Sequence, residues 1–229
     1  MQFFSYLING ISLGSVYALI ALGYTMVYGI AKMLNFAHGD VIMIGSYVVY
    51  FAFGASGLNP VLSIVLSMIV CTILGVVIER LAYRPLREAP SLAVLITAIG
   101  VSYLLQQVAQ LSWSSNPKSF TSVVSGMKPV SLFGGQLTIS AETIVTIVAC
   151  VVIMVVLMWF VNYTPAGHAM LAVSEDRGAA QLMGVNVNGT ISLTFAIGSA
   201  LAAIAGALLC SSYPTLQPTT GAMPGIKAF

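Results

Sequence analysis

One stretch of the sequence, residues 164–190, reads TPAGHAMLAVSEDRGAAQLMGVNVNGT. It is polar, and an apolar run long enough to cross a bilayer flanks it on each side. Ser174 is placed to cap the N-terminus of a helix, and Gly184 is placed to end that helix about two turns later. Glu175 and Asp176 fall in the first turn, where the helix dipole favours acidic side chains. The pattern predicts a docking loop that carries a short helix.

This short helix has an apolar stripe. Ala179, Leu182 and Met183 fall at positions i, i+3 and i+4, on one helix face. A helix of this length is marginal in water unless its apolar stripe packs on something. Two alternatives stay open: the stripe docks onto a partner protein, or the helix is an amphipathic connector that lies on its own bundle or on the lipid surface.

The composition is that of a membrane protein. Charged residues make up 6% of the 229 residues, hydrophobic residues make up 59%, and the mean hydropathy is +0.99. Runs without any charge recur at 6–31, 60–78, 92–111, 143–163 and 191–211. Each meets the roughly 20 residues that a helix needs to cross the hydrocarbon core. The sequence therefore predicts an all-α polytopic membrane protein, with residues 1–229 as a single transmembrane domain.

Basic residues set the expected orientation. Arg80, Arg84 and Arg87 follow the second of these runs, and Lys32 follows the first. Short loops that carry Lys and Arg stay in the cytoplasm. The N-terminus is therefore expected outside the cytoplasm, with the loop at 164–190 inside.

The segment at 33–53 is less ordinary. Its apolar part, from Val41 onward, is too short to cross, since thirteen helical residues rise only about 20 Å. The helix reaches back through Asn35, His38 and Asp40, or a broken helix enters the membrane part-way and turns, or these residues form a cytoplasmic turn and the N-cap of the next helix. In the first two cases polar groups lie near or inside the membrane boundary, where they favour a pathway or a gate. The residues leave all three alternatives open.

Small residues and glutamines predict contacts between helices. Gln106 and Gln110 share a face and are expected to hydrogen-bond to a neighbouring helix, with a polar entrance as the alternative. Two stripes of small residues at spacing four are expected to be close-packing faces: Gly10, Gly14 and Ala18, and Gly198, Ala202 and Gly206. The Ser-, Gly- and Pro-rich segment 112–140 predicts an irregular external loop, with a short hairpin around Gly134 and Gly135.

The sequence lacks the motifs of several common classes of enzyme. The sequence contains no G-x-x-x-x-G-K-[ST] phosphate loop, no HExxH and no G-x-S-x-G, so an enzyme is disfavoured. Cys71, Cys150 and Cys210 have no paired spacing and suggest neither disulfides nor a metal site. From the residues alone, the chain is a transporter-like bundle with a short helix that needs a partner.

Part of the 164–190 loop resembles a motif of ATP-binding cassette (ABC) importer permeases. In Gly178-Ala-Ala-Gln-Leu-Met-Gly184 the spacing is similar to their EAA-type loop, with Gly178 where that motif has Glu. Two stretches, LNFAHGD at 34–40 and EDRGAAQLMGV at 175–185, resemble the signatures of the branched-chain amino-acid ABC permeases, H-type subunit (LivH family). The resemblance extends over nearly all of the chain.

This resemblance implies the transmembrane helical bundle of an ABC importer in the bacterial inner membrane. The expected partners are a second homologous permease, two cytoplasmic ATP-binding subunits and a periplasmic binding protein that carries leucine, isoleucine or valine. The chain itself is expected to bind no cofactor, metal or nucleic acid, with ATP used by the partner subunits. Members of the family continue beyond the position of Phe229, so C-terminal helices are expected to be missing from this sequence.

Two groups of residues become candidates through this resemblance. One group is expected to couple the chain to the ATP-binding subunits: Ser174, Glu175, Asp176, Arg177, Ala179, Ala180, Leu182, Met183 and Gly184. The other is expected to lie along the substrate pathway: Asn35, His38, Gly39 and Asp40. The competing hypothesis is a self-contained secondary transporter or channel, in which Asp40 or His38 sets the pH dependence.

Overall fold

Helices dominate the computed structural model, which describes residues 2–87, 89–124, 129–132 and 137–228. In chain order they are α1 (Gln2–Ala31), α2 (His38–Val49), α3 (Pro60–Ile78), α4 (Ser91–Trp113), α5 (Ala141–Tyr163), α6 (Pro165–Glu175), α7 (Arg177–Leu182), α8 (Val187–Ser212) and α9 (Ala222–Ala228). A π-helical turn (Tyr50–Ala55) extends α2, and further helical turns (Glu79–Tyr83 and Arg84–Leu86) extend α3. The short strands are β1 (Lys118–Ser119), β2 (Val130–Leu132), β3 (Leu137–Ile139) and β4 (Thr215–Leu216).

Five helical segments are long and apolar enough to cross a membrane. They are Tyr6–Ala31, Pro60–Leu86, Ser91–Trp113, Ala141–Tyr163 and Val187–Ser212. Each segment contains one of the five charge-free runs. A helix is the expected structure there, because it satisfies its own backbone hydrogen bonds where lipid offers none. The shorter α2 is not among them; it begins inside the bundle, and most of its residues are buried.

Side-chain caps set the starts of several helices. Asn59 accepts a hydrogen bond from the Val61 backbone N–H, with Pro60 at the first helical position of α3. Ser140, Thr164 and Asn186 cap α5, α6 and α8 in the same way. Such side chains accept hydrogen bonds from backbone N–H groups that have no partner within the helix, so the turns between helices are short and defined.

The α8 helix lies at the centre of the bundle, against α1, α2 and α3. Its small-residue stripe makes these contacts close. A Cβ atom added at Gly198 would lie 3.0 Å from the Gly23 carbonyl oxygen, and one added at Gly206 would lie 2.5 Å from the Ile42 carbonyl oxygen. With Ala202 fully buried between them, the predicted close-packing face of α8 is confirmed.

The equivalent stripe on α1 behaves differently. Gly10, Gly14 and Ala18 are exposed, and no atom lies within 4 Å of a Cβ added at either glycine. Their neighbours Phe3 and Tyr6 are also exposed, by 71% and 72%. This half of α1 turns outward, so the expectation that its stripe packs is wrong within the described chain.

Contacts at the two ends of the bundle fix the helix directions. At one end Arg177 donates a hydrogen bond to the carbonyl of Ala31, the last residue of α1, and Arg87, just before α4, donates one to Asn188 at the start of α8. At the other end β1, which follows α4, pairs with β4, which follows α8. Helix α1 therefore runs antiparallel to α4 and α8. The first end carries most of the cationic side chains and is named the basic end here: Lys32, Arg80, Arg84, Arg87 and Arg177.

The segment between α4 and α5 contains a small hairpin. Strands β2 and β3 pair antiparallel, with Val130 opposite Ile139 and Leu132 opposite Leu137. The predicted turn residues Gly134 and Gly135 lie outside the described residues.

Candidate functional site

The short helix of the 164–190 segment is α7, and its N-cap is Asp176. The Asp176 backbone is extended (φ −149°, ψ 114°), and its Oδ1 accepts hydrogen bonds from the N–H groups of Gly178 (2.7 Å) and Ala179 (3.0 Å). The prediction of Ser174 as the N-cap is wrong. Ser174 lies in the last turn of α6, where its hydroxyl donates to the Leu171 carbonyl at 2.7 Å.

Glu175 is also misplaced by the sequence prediction. It is the last residue of α6 rather than part of the first turn of α7. The cause lies upstream, because Thr164 and Pro165 start a separate helix whose eleven residues run through Glu175. One extended residue, Asp176, then ends α6 and caps α7.

Gly184 ends α7, as its residue type predicts. It has a left-handed backbone (φ +87°), which costs glycine little. The Val185 N–H bonds the Ala180 carbonyl at 2.9 Å, and the Gly184 N–H bonds the Gln181 carbonyl at 3.0 Å. These two bonds form a Schellman motif, so the length of α7 is fixed at both ends.

The apolar stripe of α7 faces away from the bundle. Leu182 is 90% exposed and Met183 is 85% exposed, and Ala179 is exposed beside them. Ala180, on the opposite face, is buried in the core. Of the alternatives that the sequence leaves open, a connector that packs its stripe on its own bundle is therefore wrong for the described chain.

Arg177 connects α7 to the first membrane-spanning helix. Its guanidinium donates to the carbonyl of Ala31, at the end of α1. Carbonyls at a helix C-terminus lack partners within the helix and carry the negative end of its dipole, so a cation is favourable there. Burial lowers the pKa of Arg177 below its ordinary value, and the nearby positive charge of Arg87 lowers it further.

A buried carboxylate organises the rest of the basic end. Glu79 is fully buried, forms a salt bridge with Arg87 and accepts a hydrogen bond from the Ser192 hydroxyl at 2.6 Å. Arg87 also donates to the Asn188 side chain. From the sequence alone the arginines indicate only orientation, and this network is not predicted. An available signal was Glu79 itself, a carboxylate that directly follows an apolar span.

The break between α1 and α2 lies inside the bundle. Asn35, His38 and Asp40 are buried, with exposed fractions of 5%, 2% and 1%. The Tyr83 hydroxyl donates to Asn35 Oδ1 at 2.9 Å, and Gln106 Nε2 donates to Asp40 Oδ1 at 2.9 Å. The N-cap position of α2 is Ala37, and no side chain caps it. These polar groups therefore lie inside the bundle, the helix reaches back as far as His38, and the alternative of a surface turn with an N-cap is wrong.

The contact of Gln106 with Asp40 also settles the role of that glutamine. Gln106 lies in α4 and Asp40 in α2, so the expected hydrogen bond to a neighbouring helix is confirmed.

The contacts of His38 place the break well inside the bundle. Its ring lies beside Tyr24 of α1, with ring centroids 6.2 Å apart, and a Cβ atom added at Gly23 would lie 3.0 Å from His38 Cε1. Gly23 is eight residues before the end of α1, which corresponds to about 12 Å along the helix. His38 Nε2 is buried and has no hydrogen-bond partner among the described residues.

Gly39 meets the chain that follows α8. A Cβ atom added at Gly39 would lie 2.5 Å from the Gly221 carbonyl oxygen, and one added at Gly221 would lie 1.7 Å from the Gly39 carbonyl oxygen. The two backbones therefore cross so closely that only glycine fits at both positions. Among the described residues, no group of three or more His, Cys, Asp or Glu side chains comes together as a metal site.

Membrane-length helices around an internal polar break, with an outward-facing apolar helix at one end, are features of multi-pass membrane transport proteins. The family model described as "Branched-chain amino acid transport system / permease component" matches residues 6–229. The chain belongs to this family.

Individual relatives agree with the family. The high-affinity branched-chain amino acid transport system permease protein BraD of Pseudomonas aeruginosa is 43% identical over 235 residues, which cover 97% of this chain and 76% of that protein. The LivH permease protein of the corresponding Escherichia coli K12 system is 40% identical over 240 residues, covering 100% of this chain and 77% of the relative. The ribose import permease protein RbsC of Haemophilus influenzae is 27% identical over 217 residues, covering 90% of this chain and 61% of the relative. No solved structure matches the chain.

Proposed function

We propose that this chain is a membrane-spanning subunit of an ATP-driven importer, and that it moves branched-chain amino acids from a periplasmic binding protein into the cytoplasm. Membership of the permease family supports the class of function. The observation that carries the mechanism is α7, a capped helix whose apolar stripe is exposed while Arg177 ties it to α1. An exposed stripe of this kind needs a partner surface.

The partner proposed for α7 is an ATP-binding subunit. Its groove would receive Leu182 and Met183, the two most exposed large apolar side chains at this site. ATP binds and is hydrolysed in that subunit, so this chain needs no cofactor of its own. By the positive-inside rule, the basic end faces the cytoplasm and the N-terminus faces the periplasm of the inner membrane.

Movement of α7 reaches the pathway through a short series of contacts. Arg177 bonds the end of α1 at Ala31, and the polar break begins at the next residue. The break leads to Asp40, which Gln106 holds from α4. If the ATP-binding subunits contact α7 differently in the inward-open and outward-open states, they shift the equilibrium between those states through this connection.

Asn35, His38, Gly39 and Asp40 form the proposed lining of the pathway. Polar groups inside a bundle are costly and favour a role in passage or gating. The contact of His38 with α1 about 12 Å from the end of that helix, and the contact of Gly39 with the chain after α8, suit a constriction between two helix breaks. Selection among leucine, isoleucine and valine is assigned to the binding protein.

A second, homologous permease completes the proposed pathway. The outward-facing half of α1 offers a surface for it, since Gly10 and Gly14 are exposed with free space beside them. Small residues at this spacing allow two membrane helices to approach closely.

The test is purification of a tagged, full-length form from its native membrane in mild detergent, followed by mass spectrometry of bound proteins. The expected result is recovery of ATP-binding subunits and a second permease, with the ATP-binding subunits lost in the double variant Leu182→Glu, Met183→Glu. Leu81→Glu is the matched control, because Leu81 is 76% exposed at the same end but lies on the extension of α3. Recovery of the chain alone, with ATP-independent uptake in liposomes, would show a secondary transporter or channel instead.

A further inference from the structure

A cavity of about 340 Å³ lies at the basic end, between the last turn of α1 and the start of α4. Three of its lining side chains are cationic, namely Lys32, Arg87 and Arg177. Tyr28 and Ser91 add hydroxyl groups. No described residue that lines the cavity is acidic, so the cavity is a concave, positively charged surface.

The described residues that line this cavity include three cations and no carboxylate. Among the described residues, the salt bridge at the basic end joins Arg87 to Glu79. The bond from Arg177 to Ala31 goes to an uncharged carbonyl.

Arg87 shows that an acceptor is missing. Its side chain is only 11% exposed, and its Nε is buried without a hydrogen-bond partner among the described residues. A buried N–H donor left without an acceptor is destabilising. Arg87 also lies close enough to Arg177 to lower the pKa of that guanidinium. An anion shared by both guanidinium groups would remove both penalties, and a phosphate offers the oxygen geometry that arginine matches best.

The surroundings of the cavity favour a lipid as the source of that phosphate. The cavity lies where α1 ends and α4 begins, at the boundary of the membrane-length segments. From Ser91 onward, α4 presents Leu92, Ile96 and Ile99 at helical spacing, with exposed fractions of 66%, 60% and 39%. The outer face of α4 is therefore apolar where the helix leaves the basic end. Basic pockets between membrane helices on the cytoplasmic side bind anionic headgroups.

We propose that this cavity binds the phosphate headgroup of an anionic phospholipid, with Lys32, Arg87 and Arg177 as its charged contacts. Because Arg177 also holds α7 to α1, a bound headgroup stabilises the connection between α7 and the bundle. Binding of the headgroup does not depend on the proposed transport function. The effect of a bound headgroup on coupling between α7 and the bundle rests on that proposed function.

The experiment measures lipid binding by native mass spectrometry on the full-length chain with its co-purifying subunits, without ATP or substrate. The probes are phosphatidylglycerol, phosphatidylcholine and inorganic phosphate. Phosphatidylglycerol is expected to bind more tightly than phosphatidylcholine. Lys32→Gln is expected to weaken its binding about five-fold, the equivalent of about 1 kcal/mol for one basic residue near an anionic lipid.

Arg84→Gln is the matched control. Arg84 is an exposed cation at the same end, and it lines a different cavity, so its removal is expected to leave phosphatidylglycerol binding unchanged. Both variants change exposed side chains, so folding is expected to survive. Equal weakening by the two variants would mean general attraction to the basic end, and the proposal would be overturned.

Three other results would also overturn it. If inorganic phosphate binds and phosphatidylglycerol shows no advantage over phosphatidylcholine, the ligand is a free anion. If phosphatidylglycerol binds only after Glu88→Gln, that carboxylate neutralises the cavity itself. If it binds only after other subunits are removed, an acidic side chain of a partner fills the cavity. In each case, co-purification of ATP-binding subunits remains a separate readout, so failure of the lipid site is distinguishable from failure of the proposed function.

Discussion

Replacing Arg177 by glutamine tests whether α7 acts on the bundle through α1. Arg177 is the first residue of α7, and its guanidinium bonds the Ala31 carbonyl at the end of α1. Glutamine is shorter and uncharged, so it removes both the bond and the favourable charge at the helix C-terminus. The apolar stripe and the Asp176 cap stay in place. Docking of α7 onto the ATP-binding subunit should therefore persist, while transmission of its movement to α1 weakens.

The expected size of the loss in coupling follows from the kind of hydrogen bond that Arg177→Gln removes. A hydrogen bond to a charged group contributes about 1.5–3 kcal/mol. Arg177 is only partly buried, so the lower figure applies, and about 1.5 kcal/mol corresponds to roughly a ten-fold change in an equilibrium. We expect Arg177→Gln to lower the ratio of substrate imported to ATP hydrolysed about ten-fold.

The assay is uptake and ATP hydrolysis measured together in liposomes that contain the purified complex. Arg177→Lys should recover part of the ratio, because it keeps the charge but loses the planar fork of donors. Arg84→Gln is the matched control, since Arg84 is an exposed cation at the same end of the bundle and lies outside the 164–190 segment. An unchanged ratio in Arg177→Gln, or loss of the ATP-binding subunits from that variant, would refute transmission through this contact.

Three further predictions concern the bundle itself. Gly206→Ala places a Cβ atom 2.5 Å from a carbonyl oxygen of α2 and should lower stability by about 1–3 kcal/mol, whereas Gly100→Ala in α4, with nothing within 4 Å, should leave the thermal unfolding midpoint in detergent unchanged. Equal midpoints for both would contradict the packing described for α8. Glu79→Gln leaves the buried guanidinium of Arg87 without its carboxylate and should destabilise the protein by about 3 kcal/mol. The thermal unfolding midpoint should be lower than for Glu142→Gln at the opposite end, and an unshifted midpoint would contradict the role of this ion pair. Asp40→Asn keeps an acceptor for Gln106 and should retain more uptake than Asp40→Leu, which leaves the half-buried Gln106 amide with only its longer bond to the Ser102 hydroxyl. Equal uptake by the two variants would show that the bond between Gln106 and Asp40 does not contribute.

The membrane-length helices could be predicted because their cause is local. A segment without charges, about 20 residues long, has one stable solution in lipid, and this solution is independent of distant residues. The end of α7 is local for a similar reason, since Gly184 adopts a backbone conformation that disfavours other residues.

The start of α7 could not be predicted from residue types alone. Ser174 and Asp176 are both good capping residues, and the choice between them depends on where α6 ends. That end is set by a helix that begins ten residues earlier, at Pro165. Capping here is a competition between neighbouring helices, which a short window of sequence does not reveal.

The contacts of the polar break and the basic end depend on residues far apart in the chain. Asp40 meets Gln106, and Glu79 meets Ser192, across separate helices. The two small-residue stripes show the same limit, because the spacing is identical in α1 and α8 while only the α8 stripe is packed within the described chain. Sequence spacing marks a face that can pack closely; the fold decides what lies against it.

The central claim is that α7 inserts its apolar stripe into an ATP-binding subunit. The most direct test places a photo-reactive amino acid at Leu182, which is 90% exposed, and identifies its adducts in native membranes, with Leu81 as the control position. The account predicts an adduct with a subunit that carries a nucleotide-binding phosphate loop from position 182 and none from position 81. Adducts from position 182 only with lipid, or only with this chain itself, would contradict it.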